Sequence, residues 1–246
     1  MQSNQLPDDA EPRWAGLQEV LRMAGPVVMS QLSWVVMQFV DTMMVARLGT
    51  DQLAAVGSSG LWAWVVVSFF VGVFSCVSTF VSQSMGRGHR EDCARYAWQG
   101  IYLSLATVVV GAALWPVSRP FFDLMPHSSA VKEYEIQYFQ IRLVGFFLIP
   151  WQTVLAAFFM GINRPLVPMV VTIAANVINT ALGYALIFGE FGFPRMEVRG
   201  AAWALLASLL FQCLALQAIF MGRPMHNEFG TRTSMRLDGR RLKELL

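Results

Sequence analysis

The sequence predicts an all-α membrane protein built as a six-transmembrane-helix bundle, and three observations carry that prediction. Of 246 residues, 55% are hydrophobic and 14% charged, whereas about 25% are charged in an average soluble chain. The charges are spaced unevenly, leaving uncharged runs at Met23–Val40, Gln52–Gly86, Tyr96–Ser118, Leu143–Asn163, Pro165–Gly189 and Gly200–Gly222. A helix needs about 20 apolar residues to cross the hydrocarbon layer, and each run except the first reaches that length; the first reaches it by taking in Asp41. A net charge of +2, with no basic cluster interleaved with aromatics, excludes nucleic acid as a partner.

The first span is expected to open after Gly25-Pro26, because a proline in a first helical turn gives up an N–H that had no partner. Arg47-Leu-Gly-Thr-Asp51 makes the turn to the second span, which is long enough to overhang or tilt. Ser82 to Arg90 reads as a basic, glycine-broken loop. The third span is expected to end at Trp115-Pro116. The polar segment Arg119–Arg142 leads into the fourth span, where Pro150 predicts a kink and Arg164-Pro165 the end. The fifth span ends at Phe188-Gly189, and the sixth at Met221 after a glycine-rich turn. Residues 1–22 read as a cytoplasmic N-terminal segment, 23–221 as the six-span body and 222–246 as a basic cytoplasmic linker.

Six spans put both termini on one side. Arg47, Arg119, Lys132, Arg142, Arg195 and Arg199 then lie opposite them, and the other twelve of the 18 Lys and Arg residues share their side. The positive-inside rule makes that side cytoplasmic, which implies a multi-pass protein of the plasma (inner) membrane. The acidic start and the missing cleavage site argue against a removable leader. Cys76, Cys93 and Cys213 read as structural residues. Trp62, Trp98, Trp115 and Trp203 stand near span ends, as expected of an interfacial belt.

Polar residues inside the spans are the candidate site. Gln31, Trp34, Gln38 and Asp41 recur at intervals of three and four and form one helical stripe. A carboxylate costs about 2.5–3.5 kcal/mol at a bilayer centre on insertion scales, so the stripe is expected to face a bundle interior or watery cavity. The alternative is that Asp41, less than two turns before Arg47, reaches the interface. Asn176, Asn179 and Thr180, with Thr172 and Gly183, make a second stripe in the fifth span; they either line a pocket facing the first stripe or hold helices together. Enzyme chemistry finds no support. His89, His127 and His226 are scattered in loops, and no metal-ligand spacing, catalytic constellation or phosphate-binding loop is present, so no catalytic residue, metal or cofactor is expected.

Phe39-Val-Asp-Thr-Met-Met-Val-Ala-Arg-Leu-Gly49 after Pro26, followed by Leu53-Ala-Ala-Val-Gly57, resembles the first hairpin of multidrug and toxic compound extrusion (MATE) transporters. Further matches follow in order: Ser82-Gln83 with Gly86-Arg-Gly88, Gly161-Ile-Asn-Arg-Pro165 with Pro168-Met169, Asn179 ahead of Phe188-Gly189, and Gly192-Phe-Pro194 leading to Gly200-Ala-Ala202. The resemblance, over roughly Leu17 to Met221, implies a fold of two six-helix lobes and export of small cationic or amphipathic molecules by H⁺- or Na⁺-coupled alternating access. It implies a proton-coupling role for Asp41, matches Asn179 to the family's fifth-span asparagine, and leaves Gly183 where many members carry Asp or Asn. It also implies a missing C-terminal lobe, so that this chain corresponds to the N-terminal lobe of a two-lobe transporter. Leu242-Lys-Glu-Leu-Leu246 echoes Leu17-Gln-Glu-Val-Leu21, as the start of a tandem second copy would. The alternatives are a lipid-linked oligosaccharide flippase of the same superfamily, which would need a more cationic cavity, and an inactive membrane fragment.

Overall fold

The computed structural model describes residues 13–236 and 239, with side chains from Ala24 onward. Residues 1–12 of the expected N-terminal segment and the Leu242–Leu246 echo lie outside the described residues. Among the described residues every regular element is helical: α1 (Arg13–Ala46), α2 (Thr50–Ser75), α3 (Val77–Gly86), α4 (Arg90–Ala106), α5 (Val108–Asp123), α6 (Ser129–Val144), α7 (Leu148–Gly161), α8 (Leu166–Phe188), α9 (Glu197–Phe220) and α10 (Arg223–Phe229).

Several of these are segments of one continuous run. α2 and α3 join through Cys76, and α4 and α5 through Thr107, giving runs of 37 and 34 residues at Thr50–Gly86 and Arg90–Asp123. With α8 and α9 they make four helices long and apolar enough to cross a membrane, or five when the bent pair α6 and α7 counts as one span. α1, which carries the polar stripe, is not among them, so the expected count of six is reached only by adding it.

Three expected boundaries move. α1 begins by Arg13, which makes Pro26 an interior proline and not a first-turn one; residues 13–22 continue the helix instead of preceding it. The third span does not stop at Trp115-Pro116, because α5 runs through Pro116 and Pro120 to Asp123. The break lies earlier, at Thr107, whose hydroxyl donates to the Ser104 carbonyl at 2.6 Å and competes with the helix ladder. The fourth span is bent by 48° between α6 and α7, one turn ahead of Pro150. That position follows from the ring, which takes away the bond to the residue four back and crowds its carbonyl; Pro150 itself then sits in the first turn of α7.

The chain alternates between two ends of the bundle. Leu48, Tyr134, Val198 and Ala201 cluster at one, which we call the Arg47 end. Val81, Ile162, Phe220 and Phe229 belong to the largest core cluster at the other, the Gly88 end. Asn163 takes a left-handed φ of 59° in the turn between α7 and α8, a conformation in which asparagine is tolerated. Gly189 closes α8 with a φ of 75°, where a Cβ would lie 2.9 Å from the Arg195 backbone nitrogen.

At the Gly88 end the segment after α9 folds back onto the bundle. Phe229 is fully buried against Phe158, and Trp98 donates its indole N–H to the Thr231 carbonyl at 2.6 Å. Gln99 donates to the Arg236 carbonyl at 2.9 Å and the Tyr102 hydroxyl to that of Met235 at 2.6 Å. Trp98 is therefore buried as the anchor of this segment and does not belong to an interfacial belt, whereas Trp62, Trp115 and Trp203 remain partly exposed.

Candidate functional site

α1, α8 and α9 pack along one another, and the polar groups expected from the sequence meet at that junction. Asn179 donates its amide N–H to Asp41 Oδ2 at 2.7 Å. Ser208 of α9 lies 3.4 Å from Asn179 Oδ1, and its hydroxyl also reaches the Leu205 carbonyl at 2.8 Å. A turn or more away, Asn176 donates to Ser33 Oγ at 2.7 Å, and Gln212 donates to Thr172 Oγ1 at 2.6 Å. α1 and α8 thus touch directly through Asp41 and Ser33, with no open pocket between those groups.

Asp41 Oδ1 is buried and has no hydrogen-bond partner among the described residues. Facing it is Gly183, where an added Cβ would stand 3.9 Å from Oδ1 and 3.2 Å from the Met44 methyl. A carboxylate held by one amide on one oxygen, with the second oxygen bare, is a group that can take up a small cation without dismantling its surroundings.

The rest of the predicted stripe turns elsewhere. Gln31, Trp34 and Gln38 are exposed, and Trp34 lies 6.2 Å, centroid to centroid, from Trp64 of α2. The buried edge of α1 runs through Met37, Met44 and Val45, with Asp41 and Ser33 on its border. Three of the four stripe residues therefore lie away from the buried edge of α1, and Asp41 alone reaches it. Thr180 takes no part in the hydrogen bonds described at Asp41. It lines a mostly apolar cleft of about 440 Å³ between α1 and α8, with Phe39, Met43, Tyr184 and Phe188, and Arg47 at its rim. Ser33, Ser208 and Gln212 are not singled out by the sequence pattern; the signal available for two of them is the four-residue spacing of Ser208 and Gln212 on α9.

Among the described residues no group of three or more His, Cys, Asp or Glu could hold a metal ion. One further acid is buried, Glu135 of α6, so Asp41 is not the only carboxylate within the bundle.

A family model described as MatE matches residues 26–185, which holds most of α1 and nearly all of α8. The chain belongs to the MatE family. Members of this family are transporters and not enzymes. The chain is 31% identical over 206 residues to a probable multidrug resistance protein NorM of Chromobacterium violaceum, covering 82% of this chain and 44% of that protein. It is 28% identical over 206 residues to the NorM of Thermotoga maritima, covering 83% and 44%. In fold it is similar to an outward-facing multidrug resistance MATE family transporter of the MOP superfamily, with a TM-score of 0.82 and 22% identity over 93% of this chain and 50% of that one. The eukaryotic MATE transporter AtDTX14 is similar at a TM-score of 0.79 and 19% identity, over 94% and 50%. This MatE chain spans about half the length of the curated relatives it matches, and its apolar helices mark a multi-pass membrane protein.

Proposed function

We propose that the chain is one lobe of a proton-coupled multidrug antiporter that works by alternating access, with α1, α2–α3, α4–α5, α6–α7, α8 and α9 as its six spans. Half-length coverage of relatives named multidrug resistance proteins supports a second lobe of similar size. Residues 222–246 would connect to it, and residues 1–22 and 222–246 would face the cytoplasm, as the twelve-to-six charge distribution favours.

The observation that carries the coupling role is Asp41, bonded to Asn179 through one oxygen and bare at the other. A proton is favoured over Na⁺ because Asn179 presents its N–H, and not its oxygen, to Asp41. Gly183 adds no oxygen ligand either, so a hard cation that prefers several oxygens would find few. Protonation at Oδ1 removes the buried negative charge. A proton drives a cycle only if its bound and free forms favour different packings, and the junction of α1 with α8 is where that difference would act. The exposed Gln31, Trp34 and Gln38 would then border the substrate path for a cationic or amphipathic molecule.

The test uses a protein containing both lobes, reconstituted into vesicles with an imposed proton gradient. Asp41→Asn keeps size and hydrogen bonding but cannot titrate. Insertion should persist and gradient-driven export should fall at least tenfold; wild-type export with unchanged pH dependence would move the coupling site elsewhere.

A further inference from the structure

The cleft of about 440 Å³ between α1 and α8 has no part in the coupling proposed at Asp41. Its walls are apolar, with Phe39, Val40 and Met43 on one side and Ala181, Tyr184 and Phe188 on the other. No acidic residue lines it, Asp41 included. The volume falls in the range of about 300–1,000 Å³ that small-molecule sites occupy.

The mouth of the cleft is charged. Arg47 follows the last residue of α1 and is exposed. Among the described residues it has no carboxylate within ion-pair distance and no hydrogen-bonded partner for its side chain. Arg90, Arg95, Arg164 and Arg195, by contrast, each face an acid. Phe191, in the turn after α8, also lines the cleft; it is 84% exposed and held at a left-handed φ of 56°, a conformation that a bulky side chain seldom adopts. An exposed aromatic ring and an arginine at the ends of apolar helices suit the headgroup layer of a bilayer. From there the cleft runs inward from Arg47 to Phe39 along α1 and from Phe188 to Thr180 along α8. Each stretch is about 12 Å long at about 1.5 Å per residue, most of the roughly 15 Å of hydrocarbon in one leaflet.

We infer that this cleft is a binding site for an anionic phospholipid, which seats an acyl chain between α1 and α8 and its phosphate on Arg47. An apolar chain gains little by leaving other lipid chains for a protein groove, so selectivity comes from the mouth. The Arg47 guanidinium can donate two parallel hydrogen bonds to a phosphate. A zwitterionic lipid offers a phosphate offset by its own ammonium, and a cationic amphiphile, the class proposed as substrate, is repelled at the same place. The site takes α1 as a membrane span from the proposed function and nothing from the coupling role of Asp41. The competing occupant is a second lobe packed over the same groove.

The test is native mass spectrometry of the 246-residue chain released from nanodiscs of mixed phosphatidylglycerol and phosphatidylcholine, reading the anionic lipid retained by wild type, Arg47→Gln, Ala181→Trp and Arg119→Gln. Ala181 is exposed on the cleft wall, so a tryptophan there fills the cleft and leaves Arg47 in place. Arg119 of α5 is equally exposed and does not line the cleft. Arg47→Gln should lower retention about fivefold, the size set by one basic side chain at an anionic surface. Ala181→Trp should lower it as far, and Arg119→Gln should leave it unchanged. Undiminished retention in Arg47→Gln or Ala181→Trp, or an equal loss in Arg119→Gln, would overturn the inference. Should Ala181→Trp fail to fold, Met43→Trp fills the cleft from the opposite wall and is read in the same way. In a protein containing both lobes the Arg47-dependent retention should persist; its disappearance there would give the cleft to the second lobe and overturn the lipid site. None of these readings uses proton-driven export, so a failure of the lipid site and a failure of the coupling role are distinguishable.

Discussion

At the residue scale, the partners of a polar group decide its worth. Asn176 and Asn179 stand three apart on α8 and look equivalent in sequence. Asn176 bonds a serine hydroxyl, whereas Asn179 bonds a carboxylate and is itself the acceptor for Ser208. Interhelical bonds between neutral groups in membranes average about 0.6 kcal/mol, while stripping a charged or buried acceptor of its donor costs about 1–3 kcal/mol or more. Asn179→Ala should therefore lower the melting midpoint well beyond Asn176→Ala, and a reversal of that order in nanodiscs would contradict the described network. Gly183→Asn offers a second test. Its amide can reach the bare Asp41 Oδ1, and only the flexible Met44 tip must give way. We expect a rise in thermal stability together with slower proton-driven export in the two-lobe protein, since a donor would then occupy the oxygen proposed to take the proton. Asp41 and Asn179 stand out in the sequence because intramembrane acids and amides at helical spacing are rare, and the fold joins them by a hydrogen bond. It did not reveal Glu135, which sits in a segment rich in other charges and becomes conspicuous only once Ser58, from a distant part of the chain, closes over it.

At the element scale, helix existence was legible and helix continuity was not. Uncharged runs coincide with four helices long and apolar enough to cross a membrane, or five with the bent pair, because burial in lipid demands such runs over a known length. The breaks at Cys76 and Thr107 depend on local side-chain bonding, and the persistence of α5 through Pro116 and Pro120 on neighbours, neither of which a hydropathy run encodes. Glycines show the same dependence on context. A Cβ at Gly200 would meet the Leu186 backbone at 2.7 Å, and one at Gly145 would meet the Leu206 side-chain tip at 2.2 Å. Backbone cannot rotate away and a leucine methyl can. Gly200→Ala should therefore cost about 1–3 kcal/mol and disturb the α8–α9 hairpin, while Gly145→Ala should be milder despite the shorter distance. Thermal midpoints of the two variants, measured side by side, check that order.

At the scale of the whole molecule, the architecture makes a topological claim. Reporter fusions after Gly49, Pro126 and Pro194 should be extracytoplasmic, and those after Gly88, Arg164 and Met225 cytoplasmic; the reverse pattern would overturn the proposed orientation and place His127 on the cytoplasmic face. The chain by itself should not reduce drug accumulation in cells, because alternating access needs a second body to rock against. Efflux without any partner half would favour a homodimer of this lobe. The half-length character was legible in the family resemblance, yet the docking of the segment after α9 was not. Its basic composition reads as a solvated linker, while its attachment uses backbone carbonyls at Thr231, Met235 and Arg236, which composition does not register.

Glu228 in that docked segment alters how the charge at the Gly88 end presents itself to lipid. It binds Arg164 at 2.7 Å and lies 3.6 Å from Arg90, so one of the two positive charges that a sequence count assigns to this face is offset within the protein. A basic residue near the surface gains about 1 kcal/mol from the potential of an anionic leaflet, and these two forgo much of it. Glu228→Gln would return both to the headgroup layer, and native mass spectrometry from mixed-lipid nanodiscs should show more anionic lipid retained. The positive-inside bias and the lipid-facing charge of this protein are therefore separate quantities, the first fixed while the chain is being inserted and the second set after folding by a single carboxylate.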